Sequence, residues 1–556
     1  MSYYQNSVDN RRLARYNYSM QSITAQKRYT QVIKGVSYVY EDYPYWDKAK
    51  KQNRHKREYI GKLGQGGEFI PNKAYLARQG AAEGNEKIPT IVTARRRYFG
   101  ATHLLDEISI NAGIQEDLRA CFPSTYKIWM SLAYYLALES DSPLYRFPRW
   151  AYDHHHPWGE EVSSQRISEL LSDLSEDAKF EFFKRQARRR QEKEYLAYDT
   201  TSVSSYSEYI KAVRYGKNKD NDGLPQVNIA LILGEKSCMP VYYRVLPGNI
   251  NDVATIRKLA KDIDFLEIAK LKLVLDRGFY SASNINALFK GHHKFLIGVK
   301  TNNRFISGLV EKAKEEMHDF AHYSVDHEVY SWSSMEEWPY VQTNRHGNAT
   351  LEEKRRVYVH VYYNGIRGED EKARFSKALA MTEVALKRKE DLTESQSSLR
   401  DKYFFTKETP KRGLNIKYNN DAIRKHMSEL GYFVLLSNEI NDSCEALEIY
   451  RRKDIVEKAF DNLKHRLDMK RTAVHSDQAL AGKFFLQFLA LIYISYIHKH
   501  MKESNLYRNY TMQSLLDSLD VIERYEFSGQ RYHCGEITQR QLDIYACFGV
   551  TTPNTL

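Results

Sequence analysis

The chain has 556 residues, and its 83 Lys and Arg residues against 71 Asp and Glu residues give a formal net charge of +12. This length allows roughly three or four domains with a large core, and the apolar fraction of 42% excludes a disordered polyelectrolyte. With only 27 glycines and 13 prolines, collagen-like and linker-dominated chains are excluded as well.

The cysteines and the apolar segments are typical of a cytoplasmic protein. The five cysteines are scattered without a CxxC pair, so neither a disulfide framework nor a structural zinc site is expected. The N-terminal segment has no apolar run of the signal-peptide type. The most apolar segment, residues 484–497, is shorter than the about 20 residues that span a membrane, and it is predicted to be a buried helix.

Residues 1–94 are predicted to form an N-terminal module that binds DNA. Between Tyr38 and Lys62 aromatic residues alternate with cations, an arrangement that suits contact with phosphates and stacking on bases. The candidate DNA-binding residues are Lys50, Lys51, Arg54 and Arg57. A small β-rich module with an ordinary solvated basic face is the alternative.

Residues 95–194 are predicted to be helical, because apolar residues recur there at 3–4 spacing, and to form either a DNA-binding domain or a linking domain. Its last helix ends in a basic run that includes Arg188 and Arg189, which either follows a DNA backbone or is a solvated face. The three histidines at 154–156 resemble a metal site. Consecutive residues of a regular element cannot all face one point, so a loop is favoured.

From Tyr195 onward the pattern indicates an α/β domain. Strands are predicted at 195–203, 228–234, 239–246, 272–276 and 294–299, with helices at 253–266, capped by Asp252, and at 281–289. This order predicts a mixed sheet with helices packed on it.

The predicted sheet is divided along the chain. Residues 195–300 form its first part, residues 301–430 interrupt it, and residues 431–500 complete it with a strand and a long helix from about 443 to 467. The last region, 501–556, is mixed helix and loop and is a candidate for pairing two protomers.

Two acidic residues, Asp199 and Asp276, each end a run of buried strand residues. If the two strands are neighbours, both carboxylates emerge at the same edge of the sheet. Mg²⁺ prefers two or three carboxylates and several waters. Two such ions about 4 Å apart would activate a water and stabilise the leaving oxygen of a phosphodiester.

The long helix supplies a third acid, Glu457. At about 100° per residue, Tyr450, Lys453, Glu457 and Lys464 lie within about a 60° arc beside an apolar stripe. A carboxylate between two cations and a phenol suits a metal ligand whose neighbours hold a phosphate chain. An amphipathic surface helix with ordinary charge pairs is the alternative.

These residues resemble a DDE transposase of a bacterial insertion sequence, and most closely the insertion-sequence-four group, which carries a Y-x2-R-x3-E-x6-K signature. Tyr450, Lys453, Glu457 and Lys464 keep every spacing of that signature, with Lys453 at the arginine position. A lysine keeps the charge but loses the bidentate phosphate contact, and the helical angle of Arg452 makes it a doubtful substitute. Segments at 38–62, 199–202, 224–228, 247–250 and 276–281 resemble the same group in order, so that the resemblance covers most of residues 35–500.

The resemblance implies an RNase H-like catalytic core in which Asp199, Asp276 and Glu457 bind two Mg²⁺ ions, for which Mn²⁺ substitutes. It also implies that 301–430 is an insertion domain that can hold an aromatic side chain against a flipped base. The candidates are Trp332 and Trp338, with packing in the core as the alternative. The residues that would contact end DNA are Tyr450, Lys453, Lys464 and Arg277.

The predicted function is therefore cut-and-paste DNA transposition in a bacterial cytoplasm. A homodimer would bind the terminal inverted repeats, cleave the DNA strands in a metal-dependent reaction and transfer the freed 3′ ends to target DNA. One alternative is an inactive or domesticated DNA-binding relative. Another is an RNase H-like nuclease without strand transfer.

Overall fold

A computed structural model describes residues 27–47, 50–64, 66–79, 95–189, 194–220, 222–250, 253–256, 259, 271–343, 349–409, 413–526 and 532–553. They belong to two compact units, residues 1–93 and residues 94–556, which are described separately.

The secondary structure alternates between sheet and helix along the chain. The strands are β1 (Lys27–Ile33), β2 (Val36–Asp47), β3 (Gln52–Leu63), β4 (Phe69–Pro71), β5 (Arg95–Tyr98), β6 (Leu196–Ser204), β7 (Gln226–Gly234), β8 (Pro240–Pro247), β9 (Lys272–Leu275), β10 (Lys294–Val299), β11 (Tyr323–Ser324), β12 (Val329–Thr343), β13 (Ala349–Tyr363), β14 (Phe404–Thr409), β15 (Gly413–Tyr418), β16 (Tyr432–Ser437), β17 (Glu523–Glu526) and β18 (His533–Cys534). The α-helices are α1 (Lys73–Gln79), α2 (Gly100–Asn111), α3 (Ile114–Cys121), α4 (Tyr126–Leu138), α5 (Phe147–Asp153), α6 (Ser164–Ser172), α7 (Glu176–Arg188), α8 (Ala282–Lys290), α9 (Ser307–Glu316), α10 (Gly365–Arg388), α11 (Glu394–Tyr403), α12 (Asn420–Glu429), α13 (Ser443–Arg452), α14 (Asp454–Asp461), α15 (Asp477–Glu503), α16 (Met512–Asp520) and α17 (Gln539–Cys547). Short 3₁₀ turns lie at Leu144–Arg146, Arg277–Phe279, Phe320–His322 and Leu506–Arg508, and Asn462–Arg466 forms a π-helical turn.

The N-terminal unit contains a four-stranded antiparallel sheet in the order β1-β2-β3-β4. Its small core forms around Val39, Ile60 and Tyr75, the last of these on α1. Strands β2 and β3 are each 12 residues long, and residues 38–47 of β2 pair with residues 52–62 of β3. The first six residues of β3 are exposed. Because β1 pairs with β2 only up to residue 42, residues 43–47 and 50–56 form a two-stranded ribbon, which we call the β2–β3 ribbon.

The second unit is built on a nine-stranded mixed sheet in the order β11-β12-β13-β16-β10-β9-β6-β7-β8. Its three central strands β6, β9 and β10 are parallel, and β7 and β8 follow β6 as antiparallel neighbours. The predicted α/β sheet is confirmed, with strand ends within a few residues of those expected from the sequence. Most of the helix predicted at 253–266, including its cap Asp252, lies outside the described residues.

The first part of segment 301–430 adds the strands β11, β12 and β13 to this sheet. Strands β12 and β13, each 15 residues long, pair antiparallel with each other, and β13 also pairs antiparallel with β16. Strand β16 is about 70 residues further along the chain than β13, so no local sequence pattern indicates this pairing. The following helices α10, α11 and α12 and the β14–β15 hairpin enclose a separate small core around Phe375 and Leu379.

The apolar segment predicted to be a buried helix is the centre of α15. This helix is long and apolar enough to cross a membrane, but 89% of its most apolar window is buried within the fold. Gly482 on α15 lies against the backbone carbonyl of Leu171 in α6, where a Cβ atom would overlap that oxygen. Helices α6 and α15 therefore approach each other closely because residue 482 has no side chain.

The C-terminal residues pack back onto the helical region near 95–194. Strand β17 pairs with β5, and Tyr545 on α17 donates a hydrogen bond to the backbone carbonyl of Gly100. The role of 501–556 in pairing protomers stays a prediction.

The histidines at 154–156 take different partners. His154 stacks on Trp150, His155 contacts Phe99, and His156 bonds to Ser131. Burial lowers the pKa of His155 to about 3 and that of His156 to about 4.

We expect Gly482→Ala to destabilise the second unit by about 1–3 kcal/mol, because the added methyl group forces α6 away from α15. A thermal melt followed by circular dichroism measures the change. The control is Gly308→Ala on α9, where a Cβ atom meets no other group. An unchanged melting temperature for Gly482→Ala would show that the two helices are not held at this distance.

Candidate active site

The two predicted catalytic aspartates lie side by side on the central parallel strands. Tyr198 on β6 is paired in register with Leu275 on β9. The residues that follow this pair are Asp199 and Asp276. Asp276 follows the last residue of β9, as expected. Asp199 instead lies inside β6, because pairing with β7 continues that strand to Ser204.

Asp199 is held in a largely buried position. Its carboxylate accepts a hydrogen bond of 2.7 Å from the backbone N–H of Thr200, and the Nζ atom of Lys219 lies 4.0 Å away. Burial raises the pKa of Asp199, and the neighbouring charge of Asp276 adds to that effect. The ammonium groups of Lys219 and Lys453 oppose it.

Asp276 accepts a hydrogen bond of 2.9 Å from the hydroxyl of Tyr450 on α13. Burial, and then the charge of Asp276, raise the pKa of the phenol, which keeps it protonated and able to donate. The phenol reaches this position over Gly298 of β10, where a Cβ atom would lie 2.7 Å from the Tyr450 oxygen. A glycine inside a strand commonly marks such a close approach.

The helix that carries the signature residues is not continuous, contrary to the prediction of one helix from 443 to 467. Helix α13 ends at Arg452, α14 begins at Asp454, and the π-helical turn follows from residue 462. Angles computed for a regular α-helix therefore do not carry over from Tyr450 to Lys464.

Lys453 lies at the junction of α13 and α14 and is 5% exposed. Its Nζ atom is 4.0 Å from Asp276 and 3.8 Å from Glu457. Arg452 points elsewhere, since it pairs with Glu448 and, at 3.2 Å, with the buried Glu235. It does not substitute for the signature arginine in this structure.

Glu457 completes the acidic group from α14. Its side chain is 65% exposed, so packing does not fix its carboxylate. Carboxylate oxygens are the ligands that a hard divalent cation prefers, so the residue types at this site fit such an ion. As the side chains are placed in this structure, however, no three His, Cys, Asp or Glu side chains of the described residues are close enough to hold a metal ion together.

Lys464, a predicted phosphate contact, is paired within the protein in this structure. It is buried, and its Nζ atom donates to both carboxylate oxygens of Asp220 at 2.7 and 2.9 Å. The same loop brings Lys219 to Asp199 and to the backbone carbonyl of Thr200. The sequence did not predict this part of the site, although residues 216–223 contain two Lys and two Asp residues.

A cleft of about 850 Å³ opens beside Asp276 and Tyr450. Six cationic residues line it against two acidic ones, and the six are Lys217, Lys219, Arg277, Lys300, Arg367 and Lys402. Arg277 was a predicted DNA contact. The other five were missed because four separate segments of the chain contribute them. The excess of cations suits a polyanion whose backbone passes the acidic residues.

A family model described as the transposase DDE domain matches residues 190–493, which is more than half of the chain. The chain belongs to this family. DDE transposases act on DNA as nucleases and strand transferases, and their domains generally use divalent metal ions.

The chain is also similar to a solved structure. The chain is similar to the piggyBac transposase in a cryo-EM structure of its synaptic complex with hairpin DNA, with 9% sequence identity, a TM-score of 0.34 and 76% of each chain covered. The sequence matches no curated protein.

The two tryptophans predicted to be candidates for contact with a flipped base are packed in the core of the second unit. Trp332 and Trp338 are buried, with their indole N–H groups bonded to Glu316 at 2.7 Å and Asn286 at 2.9 Å, as packing in the core requires. Neither ring is among the lining residues of the cleft.

The two arginines of the basic run differ in their surroundings. Arg189 binds the buried Asp117 at 2.8 Å and Glu116 at 2.9 Å, which ties the end of α7 to α3. Arg188 is exposed. In the N-terminal unit, Lys50 and Lys51 are exposed in the β2–β3 turn. Arg54 pairs with Asp47 at 3.6 Å, and Arg57 lies over the Tyr29 ring.

We expect Gly298→Ala to lower metal-dependent DNA cleavage by about tenfold, because the new methyl group displaces the Tyr450 hydroxyl from Asp276. The measurement is a double-mutant cycle with Tyr450→Phe, which removes the oxygen that the methyl group meets. If Gly298 acts through Tyr450, the alanine costs much less in the phenylalanine background. Equal costs in both backgrounds would show that it acts in another way.

Proposed function

We propose that this protein is a cut-and-paste transposase of the insertion-sequence-four group with an RNase H-like catalytic core. The observation that carries the proposal is the placement of Asp199 and Asp276 in adjacent register on parallel strands, with Tyr450 and Lys453 of the signature helix contacting Asp276. The strand order β8-β7-β6-β9-β10, which is 3-2-1-4-5 in chain order, supports an RNase H-like sheet.

In this proposal the acidic residues hold the metal and the cleft holds the DNA. Asp199, Asp276 and Glu457 would bind two Mg²⁺ ions or their Mn²⁺ substitutes. The bound ions supply Lewis-acid activation of the attacking water or 3′-hydroxyl. The Tyr450 hydroxyl keeps the Asp276 carboxylate oriented, and Arg277 and Lys300 on the cleft wall neutralise the phosphates that flank the scissile bond.

We also propose that the β2–β3 ribbon reads the terminal inverted repeats. Residues 43–56 contain five Lys or Arg residues against one Asp. Tyr45 and Trp46 are 43% and 56% exposed on the same ribbon. A two-stranded ribbon fits the major groove of B-form DNA, and its exposed cations meet the phosphates on either side. A homodimer in a bacterial cytoplasm would bring two such ribbons to the two ends.

We expect Asp199→Ala, Asp276→Ala and Glu457→Ala each to abolish strand cleavage while end binding stays largely intact. Labelled DNA from the ends of the element is mixed with the full chain in Mg²⁺ or Mn²⁺, and any cut is mapped to the nucleotide. Joined products identify strand transfer. Cleavage without joining would instead identify a nuclease.

The matched control is Asp454→Ala, which removes an exposed acid from the same helix as Glu457. It should keep full activity. Equal loss of end binding in the three acid variants would make those residues structural. Binding without cleavage by the unaltered chain would favour the inactive DNA-binding relative.

We expect Lys50→Gln with Lys51→Gln to weaken binding to end DNA and to flatten its salt dependence. Each lost phosphate contact lowers the slope of log K against log salt concentration by about 0.9. Fluorescence anisotropy at several salt concentrations gives the slope. Lys34→Gln, at the exposed β1–β2 turn on the opposite end of β2, is the control and should leave the slope unchanged.

A further inference from the structure

We propose that the ammonium group of Lys453 stands in for a divalent cation among the acidic side chains, and that the cation binds by displacing it towards the cleft. The inference rests on the proposed function, because it assigns the metal to Asp199, Asp276 and Glu457. It gives Lys453 a second role as a positioning residue, in addition to a phosphate contact.

The first argument is charge. Asp199 and Asp276 occupy neighbouring positions on parallel strands, and Glu457 approaches from α14. Negative charges on neighbouring side chains repel each other, so they disfavour ionisation of all three acids at once. The Nζ atom of Lys453 lies 4.0 Å from Asp276 and 3.8 Å from Glu457, and its charge also acts on Asp199. One ammonium group thus interacts with all three acids.

The second argument is that the Lys453 ammonium group is attracted to Asp276 and Glu457 without forming a short hydrogen bond to either. Hydrogen bonds from a charged nitrogen to a carboxylate are typically about 2.7–2.9 Å long, whereas both separations here are close to 4 Å. The attraction is therefore mainly electrostatic, and a doubly charged ion that binds the same oxygens directly outcompetes it. A lysine suits this role better than an arginine, because its ammonium group is a compact point charge.

The third argument is that the Lys453 side chain lies close to the basic cleft, which could accept its ammonium group. It lies in the break between α13 and α14, outside the regular hydrogen-bonding pattern of either helix. Its Nζ atom also lies 5.8 Å from the ring of Tyr450, a residue that lines the basic cleft. If the displaced ammonium group enters that cleft, it can contact a DNA phosphate bound there. Metal binding and phosphate binding would then be coupled through one side chain.

The first test uses the unaltered full chain. Surface amines are acetylated in EDTA and in saturating Mn²⁺, and labelling at each lysine is read by mass spectrometry. Lys453, 5% exposed in this structure, should be labelled several-fold faster in Mn²⁺. Lys458, exposed on the next turn of the same helix, should be labelled at the same rate in both. Unchanged or slower labelling of Lys453 in Mn²⁺ would overturn the inference.

The second test measures Mn²⁺ affinity by titration calorimetry without DNA. Lys453→Gln should bind Mn²⁺ about tenfold more tightly, because the ion no longer displaces a positive charge. It should also melt at a lower temperature in EDTA, with the difference reduced by Mn²⁺. Lys458→Gln, which makes the same change in charge, should bind Mn²⁺ as the unaltered chain does. A merely structural role for Lys453 predicts weaker binding, so weaker or unchanged affinity in Lys453→Gln would contradict the inference.

The two hypotheses fail in different ways. If the unaltered chain does not bind Mn²⁺, the proposed metal-dependent function fails together with the inference. If it binds Mn²⁺ while labelling of Lys453 and the affinity of Lys453→Gln stay unchanged, only the inference fails.

Discussion

Crowding of negative charge at one edge of the central sheet is the constraint on which the site depends. Parallel pairing of β6 with β9 puts two aspartates in adjacent register, and α14 adds a glutamate. Such a group is costly unless nearby cations and hydrogen-bond donors offset the repulsion. Lys219 comes from the loop that follows β6, and Lys453 and the Tyr450 hydroxyl come from the end of α13. The glycine at 298 and the break at 453 both serve this arrangement.

The sequence predicted what depends on local pattern. Buried runs located β6 to β10, and placing polar residues at the ends of such runs led to Asp199 and Asp276. The apolar segment of α15 was correctly predicted to be buried, because its length and interruptions argued against a membrane span. Membership of the transposase DDE family is confirmed by the match over residues 190–493 and does not depend on the regular helix geometry that was assumed.

What the sequence did not predict depends on contacts between distant segments. The Lys464–Asp220 pair joins residues 244 positions apart, and no periodicity within either segment signals it. The cleft collects its cations from loops and helices that sequence patterns treat separately. The angles predicted for the signature side chains were wrong, because the helix breaks at Lys453 and a π-helical turn follows from residue 462. Such a turn changes the number of residues per turn.

The length of the β2–β3 ribbon has a consequence for the size of a DNA footprint. Its five paired residues per strand, at about 3.3 Å each, make an element about 17 Å long. One turn of B-form DNA is about 34 Å. The ribbon therefore spans about half of one helical turn. Protection of a site by the ribbon alone would extend over about 5 base pairs, and a longer protected region would indicate contacts from other parts of the chain.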